Sequence, residues 1–269
     1  MNHHNTPRTM RLFSVVALSG ALLAGGCTDV EKADKGDPPK TPAAQATSAS
    51  SGCAAYSDIS MALGGEPEGD PATWFEETIL PMADKLETKK PAEIDAELDT
   101  MIDSVRQVAE SGDMADFETP EFAEAQAKVG RHMFDNCEFD HNVEVSGKEY
   151  AFEGIPETLT SGRVAILFTN DGMEAHEIVV ASKKEGVTES FDELLEIPEE
   201  EAMTKIDLKG GAHTPQQGDE SLLISDFGPG DYAALCFIPS GTMMHDGEEM
   251  PGDGPPHFIQ GMKTEFTVT

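Results

Sequence analysis

Apolar residues recur at helical spacing through the first half of the chain and at alternate positions through the second. Ile94, Leu98, Ile102, Val105 and Val108 follow one another at intervals of four, four, three and three, with Glu93, Asp95, Glu97 and Asp99 on the flanks and opposite face. That is the pattern of a helix with one buried stripe. A later helix opens at Thr119-Pro120 and repeats Phe122, Ala125, Val129 and Met133. An earlier one has Asp70 as its cap and Pro71 at its first position, with Trp74, Ile79, Met82 and Leu86 to line its buried side. Pro81 has no N–H to donate and crowds the preceding turn, so it should kink or divide that helix. Together these segments predict a small helical bundle over residues 53–140.

From residue 141 to 269 the period changes to two and turn residues multiply. Strands are expected near 143–145, 150–152, 164–168, 177–181, 221–224, 232–237 and 265–268, enough short strands for a two-sheet sandwich. SFDELLE and PEEEAMTK, between 190 and 205, read instead as acidic helix, expected to lie over one end or edge of that sandwich. The fold class is therefore α+β.

The remaining segments read as an address and a tether. Residues 12–24 form an apolar run flanked by Arg8 and Arg11 and ending in LLAGGC, too short to span a bilayer but right for a signal peptide. The LLAGGC run resembles the lipobox of bacterial lipoproteins, which predicts a signal peptide over 1–26 and lipidation of Cys27. Residues 27–52 are polar, rich in Pro, Ala and Ser and without periodicity, as in a flexible tether. Attachment to a membrane through an N-terminal lipid, on the extracytoplasmic face, follows as an expectation.

Charge narrows the function. With 51 acidic and 18 basic residues the chain carries a formal net charge of −33, which disfavours nucleic acid, whose backbone is bound by Lys and Arg. A cationic partner, metal ions included, remains compatible. No Gly-rich phosphate loop, G-x-S-x-G elbow or zinc-protease helix motif occurs, so an enzyme is not expected.

Four cysteines are present, Cys27, Cys53, Cys137 and Cys236. Cys53 and Cys137 bracket the helical segment, so a disulfide between them is expected in an oxidising compartment. Cys236 is then left unpaired at the end of the strand GDYAALC. His176 stands at the start of a strand, and His257 and Met262 lie in PHFIQGM just before the last one. A soft thiolate, two imidazoles and a weak thioether make the donor set of a blue-copper site. His245 and Met250 repeat the H-x4-M spacing of His257 and Met262 and form the alternative pair; Met243, Met244, His245 and Met250 together otherwise read as a mobile outer Cu(I) contact or as a flexible Gly-rich solvated loop. His141 and His213 are expected at the surface.

In order and spacing these residues resemble the cupredoxin family of the plastocyanin and pseudoazurin kind. Its pattern N-x-G-x-x-x-H, then G-x-Y-x-x-x-C, P, H and G-M, reads here as Asn170, Gly172 and His176, then Gly230, Tyr232, Cys236, Pro239, His257, Gly261 and Met262. The likeness covers about residues 142–269. It implies a Greek-key sandwich with one type 1-like copper ion held by His176, Cys236, His257 and, axially, Met262. The whole chain also resembles bacterial lipoproteins in which a cysteine-bracketed helical region precedes such a domain.

Two departures predict a looser ligand shell. Twenty residues separate Cys236 from His257, where the family usually has only a few, and Glu177 replaces the asparagine that commonly ties the ligand loops together. The expected function is single-electron transfer with a redox partner. The alternatives are a copper-delivery module serving a copper-exchange partner, or a metal-free sandwich used for binding or scaffolding.

Overall fold

The structure is a computed structural model, described here for residues 43–65 and 70–269. The proposed signal peptide and Cys27 lie outside the described residues. Among those described, no helix is long and apolar enough to cross a membrane.

The N-terminal part comprises α1 (Ala43–Leu63), α2 (Pro71–Trp74), α3 (Leu80–Glu87), α4 (Asp95–Ser111) and α5 (Pro120–Asn136). α1 begins inside the stretch expected as a tether. The helix extends back from the turn where Ala55, Tyr56 and Ile59 are buried, so packing of that turn nucleates it. Asp70 and Thr119 cap α2 and α5 by accepting from the backbone N–H groups of Thr73 and Phe122 at 3.1 and 3.2 Å. Pro81 divides its helix through a π-helical turn, Phe75–Ile79, closed by the Leu80 N–H on the Phe75 carbonyl. The buried stripe keeps ordinary helical intervals across it. Phe75, Ile79, Ala83 and Leu86 are fully buried, while Trp74 and Met82 only flank the core. The stripes of α4 and α5 are buried as the spacing predicts.

Cys53 and Cys137 form the expected disulfide, 84 residues apart in sequence. Closing a loop of that length stabilises the fold by on the order of 4 kcal/mol on the chain-entropy estimate.

The C-terminal part is a sandwich. One sheet is ordered β2 (Ala151–Glu153), β1 (His141–Lys148), β4 (Gly162–Asn170), β7 (Glu220–Phe227), with β1 and β4 parallel. The other runs β3 (Thr158–Leu159), β11 (Lys263–Val268), β8 (Gly230–Leu235), β5 (His176–Lys183), β6 (Ile206–Thr214). Val143, Val145, Ile166 and Phe168 of the first sheet meet Ile178, Val180, Ala234 and Phe266 of the second between them.

Each sheet is also covered on its outer face. Ala165, Leu167 and Ile224 turn away from the sandwich core and join the core of the helical bundle. β4 therefore reads as the unbroken apolar run VAILF instead of alternating. Gly130 lets α5 approach β7, since a Cβ there would sit 3.0 Å from the Leu222 Cβ, and Arg131 of α5 pairs with Glu220 of β7. On the other side, α6 (Phe191–Glu196) places Phe191 and Leu194 against Ala233 and Leu235, and α7 (Glu199–Ala202) follows it with no buried residue. The acidic insertion thus covers a face of the second sheet, not an end or edge, because its two large apolar residues need an apolar floor and β8 supplies one.

β6 was not expected as a strand. Gly210, at φ 110°, sits beside a register shift opposite Val180/Ala181. Such a bulged, glycine-bearing edge strand lacks clean alternation.

Candidate metal centre

Three loops at one end of the sandwich bring His176, Cys236 and His257 together. His176 is the first residue of β5, Cys236 follows β8, and His257 opens a 3₁₀ turn, His257–Gln260, that leads to Met262 and β11. All four side chains are fully buried. The Nδ1 atoms of the two histidines are 3.2 Å apart, and Cys236 Sγ is 3.4 Å from Nδ1 of His257. The three donor atoms all lie within 4.8 Å of one another.

The twenty intervening residues do not hold Cys236 and His257 apart, because they leave and return through a narrow neck. Pro239 and Pro256 bridge across it, and the Ser240 N–H donates to the Pro255 carbonyl at 3.0 Å. Below the neck, the His257 N–H donates to the Ile238 carbonyl and the Phe258 N–H to the Cys236 carbonyl, each at 2.9 Å. Beyond it the chain forms a hairpin, β9 (Met243–His245) and β10 (Glu248–Met250). His245 and Met250 are on that hairpin, exposed and outside the buried cluster.

Met262 is bound to the cluster through its backbone. Its N–H donates to the His257 carbonyl at 3.0 Å, and its carbonyl accepts from the Cys236 N–H at 3.2 Å. Gly147 leaves room for its side chain, since a Cβ at 147 would be 2.9 Å from the Met262 methyl.

Glu177 takes over the tie usually made by asparagine. Its Oε1 accepts from the Phe237 N–H at 2.9 Å, joining the His176 strand to the residue after Cys236. Its own N–H points at the Cys236 sulfur at 3.5 Å. The looser shell expected from the Glu177 substitution is therefore not what forms, because a carboxylate oxygen accepts this bond as well as an amide oxygen does. Asn170 fixes the other loop, donating to the Glu174 and Thr214 carbonyls at 2.9 Å and accepting from the Gly172 N–H at 2.8 Å. Gly172 has to be a glycine: a Cβ there would lie 2.5 Å from His176 Nε2.

Outside the donors stands a ring of groups that sequence reasoning missed. Glu174 accepts from the Gly241 N–H at 2.7 Å and from the Tyr150 hydroxyl at 3.2 Å, and its Oε2 lies 3.0 Å from His257 Nε2. That carboxylate places the His257 proton on Nε2 and leaves Nδ1 with a lone pair facing the cluster. The Tyr150 ring packs edge-on against His257, with centroids 4.9 Å apart. Glu149 accepts from the Met173 and Glu174 N–H groups. Burial alone would raise its carboxyl, but these bonds bring it below the ordinary value. In a chain with 51 acids, nothing in the sequence singles out Glu149 and Glu174. His213, expected at the surface, is instead buried under the hairpin with Nε2 3.0 Å from the Glu249 carboxylate.

The electrostatics suit a cation. Burial, then the neighbouring His257, pulls His176 down to about 4. Burial also lowers His257, partly offset by Glu174. Both imidazoles are thus neutral lone-pair donors at neutral pH. Burial and the nearby Glu177 carboxylate push the Cys236 thiol up, so without a cation the thiolate is disfavoured and with one it becomes the natural form. Two imidazole nitrogens about 2.0–2.1 Å from one metal ion at a roughly tetrahedral angle stand about 3.3 Å apart, close to the 3.2 Å found. The donor set fits a single copper ion.

The sandwich half resembles the blue-copper cupredoxins. Among solved structures, a reduced auracyanin from Roseiflexus castenholzii is 18% identical over 48% of this chain and 97% of its own, with a TM-score of 0.32. Auracyanin A of Chloroflexus aurantiacus, described as a blue copper protein, is 17% identical over 48% and 98%, with a TM-score of 0.28. Rusticyanin from Thiobacillus ferrooxidans is 15% identical over 53% and 93%, with a TM-score of 0.28. No protein-family model matches the chain, and no curated protein matches it. The donors and their geometry, not these likenesses, carry the functional reading.

Proposed function

We propose that this chain is an extracytoplasmic, membrane-anchored electron-transfer protein in which His176, Cys236, His257 and Met262 would hold one copper ion. The convergence of a buried thiol and two neutral imidazoles within 4.8 Å carries this reading. Bound copper would supply a one-electron Cu(II)/Cu(I) couple. The protein's part is to hold the donors still. Glu174 orients His257, Glu177 ties the His176 strand to the Cys236 loop, and Gly172 seats His176 without a gap. Fixed donors favour rapid transfer, because little has to move when the charge changes. The donors are buried from solvent, which supports a reading in which electrons rather than a bound substrate reach the site. The partner is then a redox protein, and the chain's net charge of −33 favours one with a basic docking face.

Anchoring rests on the LLAGGC sequence before Cys27. Titration with Cu(II) tests the centre, where an intense visible band from thiolate-to-copper charge transfer is expected and should vanish in Cys236→Ser. Detergent phase partitioning of the native form against Cys27→Ser tests the anchor: only the native form should enter the detergent phase.

A further inference from the structure

We infer that the outer face of the β9–β10 hairpin is a second metal site, specific for a soft monovalent ion of the Cu(I) class, and that it is independent of the buried centre. In the hairpin Met243 stands opposite Met250, and His245 opposite Glu248. Side chains alternate along a strand, so Met243, His245, Glu248 and Met250 share one face, while Met244 and Glu249 share the other. Burial follows the same division: Met243, His245, Glu248 and Met250 are exposed, while Met244 and Glu249 are partly covered. Directly opposed residues on one face have Cβ atoms about 4.5–5.5 Å apart, so two flexible thioethers can close on one ion. His245, two residues along the same strand, reaches it from the side.

This face is held outward. On the inner face Glu249 lies 3.0 Å from the buried His213 of β6. At the base, the Thr242 carbonyl accepts from the Ala175 N–H at 2.8 Å, and the Thr242 hydroxyl accepts from the Gly252 N–H at 2.9 Å. The turn at the tip, Asp246 at φ 52° and Gly247 at φ 88°, is of the two-residue kind that keeps paired strands in register. Among the described residues the large exposed apolar side chains are Leu63, Met173, Met243, Met250 and Ile259, and two of these share this face. Two thioethers and an imidazole select Cu(I) over hard divalent ions, and the surrounding carboxylates add long-range attraction for any cation.

Ag(I), a redox-inert stand-in for Cu(I), provides the test. Equilibrium dialysis with metal quantification would compare the parent with a triple variant, Met243→Leu, His245→Ala and Met250→Leu, in both the native and the Cys236→Ser backgrounds. Leucine keeps the volume and apolarity of these exposed positions, and circular dichroism checks the fold. The triple variant should bind one fewer equivalent than its parent in both backgrounds. Equal stoichiometry within either pair overturns the proposal, and it does so without bearing on the visible band of the buried centre. As a second readout, the ε-methyl signals of Met243 and Met250 should shift together when Ag(I) is added to Cys236→Ser protein. A shift confined to Met262 or Met173 would also overturn it.

Discussion

Two segments of this chain carry a histidine and a methionine with four residues between them, and they end in opposite environments. His257 opens a 3₁₀ turn that Gly261, at φ 118°, ends, and the Met262 N–H folds back onto the His257 carbonyl at 3.0 Å. Both side chains are thereby turned into the sandwich, where Cys236 and His176 wait. His245 and Met250 have the same spacing across a two-residue turn instead. That turn makes them neighbours on the outer face of a hairpin. Spacing sets how far apart the two donors are along the chain, whereas turn chemistry decides whether they point into the core or into water. One segment yields a rigid, dry donor set, and the other yields an open one that an ion can enter and leave.

The contrast can be broken from the inside first. In the metal-free protein His176 takes a proton only near pH 4, whereas an unfolded histidine does so near 6.5. The unfolded state therefore binds more protons between these values. Stability should be fully present above about pH 6.5 and fall as pH drops towards 4, by on the order of 3 kcal/mol. Urea unfolding at pH 7 and pH 4.5 measures this. His176→Asn should make the profile shallower while His257, also lowered by burial, keeps part of it, and a flat profile in the native protein would contradict the burial argument.

Glycine substitutions separate the two segments further. Gly172→Ala puts a methyl group 2.5 Å from His176 Nε2 and should cost about 1–3 kcal/mol of stability while displacing a donor and weakening copper binding. Gly247→Ala, in the outer turn at φ 88°, should cost about 1 kcal/mol and leave the buried centre's copper affinity unchanged. Smaller in stability but sharper in chemistry, Glu174→Gln should lower copper affinity about 10–100-fold, because a neutral amide oxygen is a weaker acceptor for the His257 Nε2–H than a carboxylate and leaves that imidazole less basic. Thermal unfolding of the metal-free form should move little, because the amide oxygen still accepts from the Gly241 N–H.

Legibility in the sequence followed the strength of the local signal. The stripes of α4 and α5 were readable because four or five apolar residues keep one phase, and the donors were readable because each stands at a strand end in a fixed order. Phe75 was missed because the adjacent Trp74 competes for the same place on the stripe, although Phe75, Ile79, Ala83 and Leu86 keep ordinary helical intervals. β6 was missed because glycines 210 and 211 disguise an edge strand. Glu174, Glu149 and Tyr150 were invisible for another reason: their roles arise only when three loops far apart in sequence meet. Glu177 was legible as a departure from the family pattern, but its effect was not, because an acceptor oxygen was needed there and either side chain supplies one.

The most direct test of which segment builds the copper centre is the visible spectrum of two histidine variants loaded with Cu(II). His257→Ala should lose or grossly shift the thiolate-to-copper band, and His245→Ala should keep the band of the native protein. If the band instead survives in His257→Ala and disappears in His245→Ala, the hairpin supplies the second imidazole and the assignment of the buried centre is wrong.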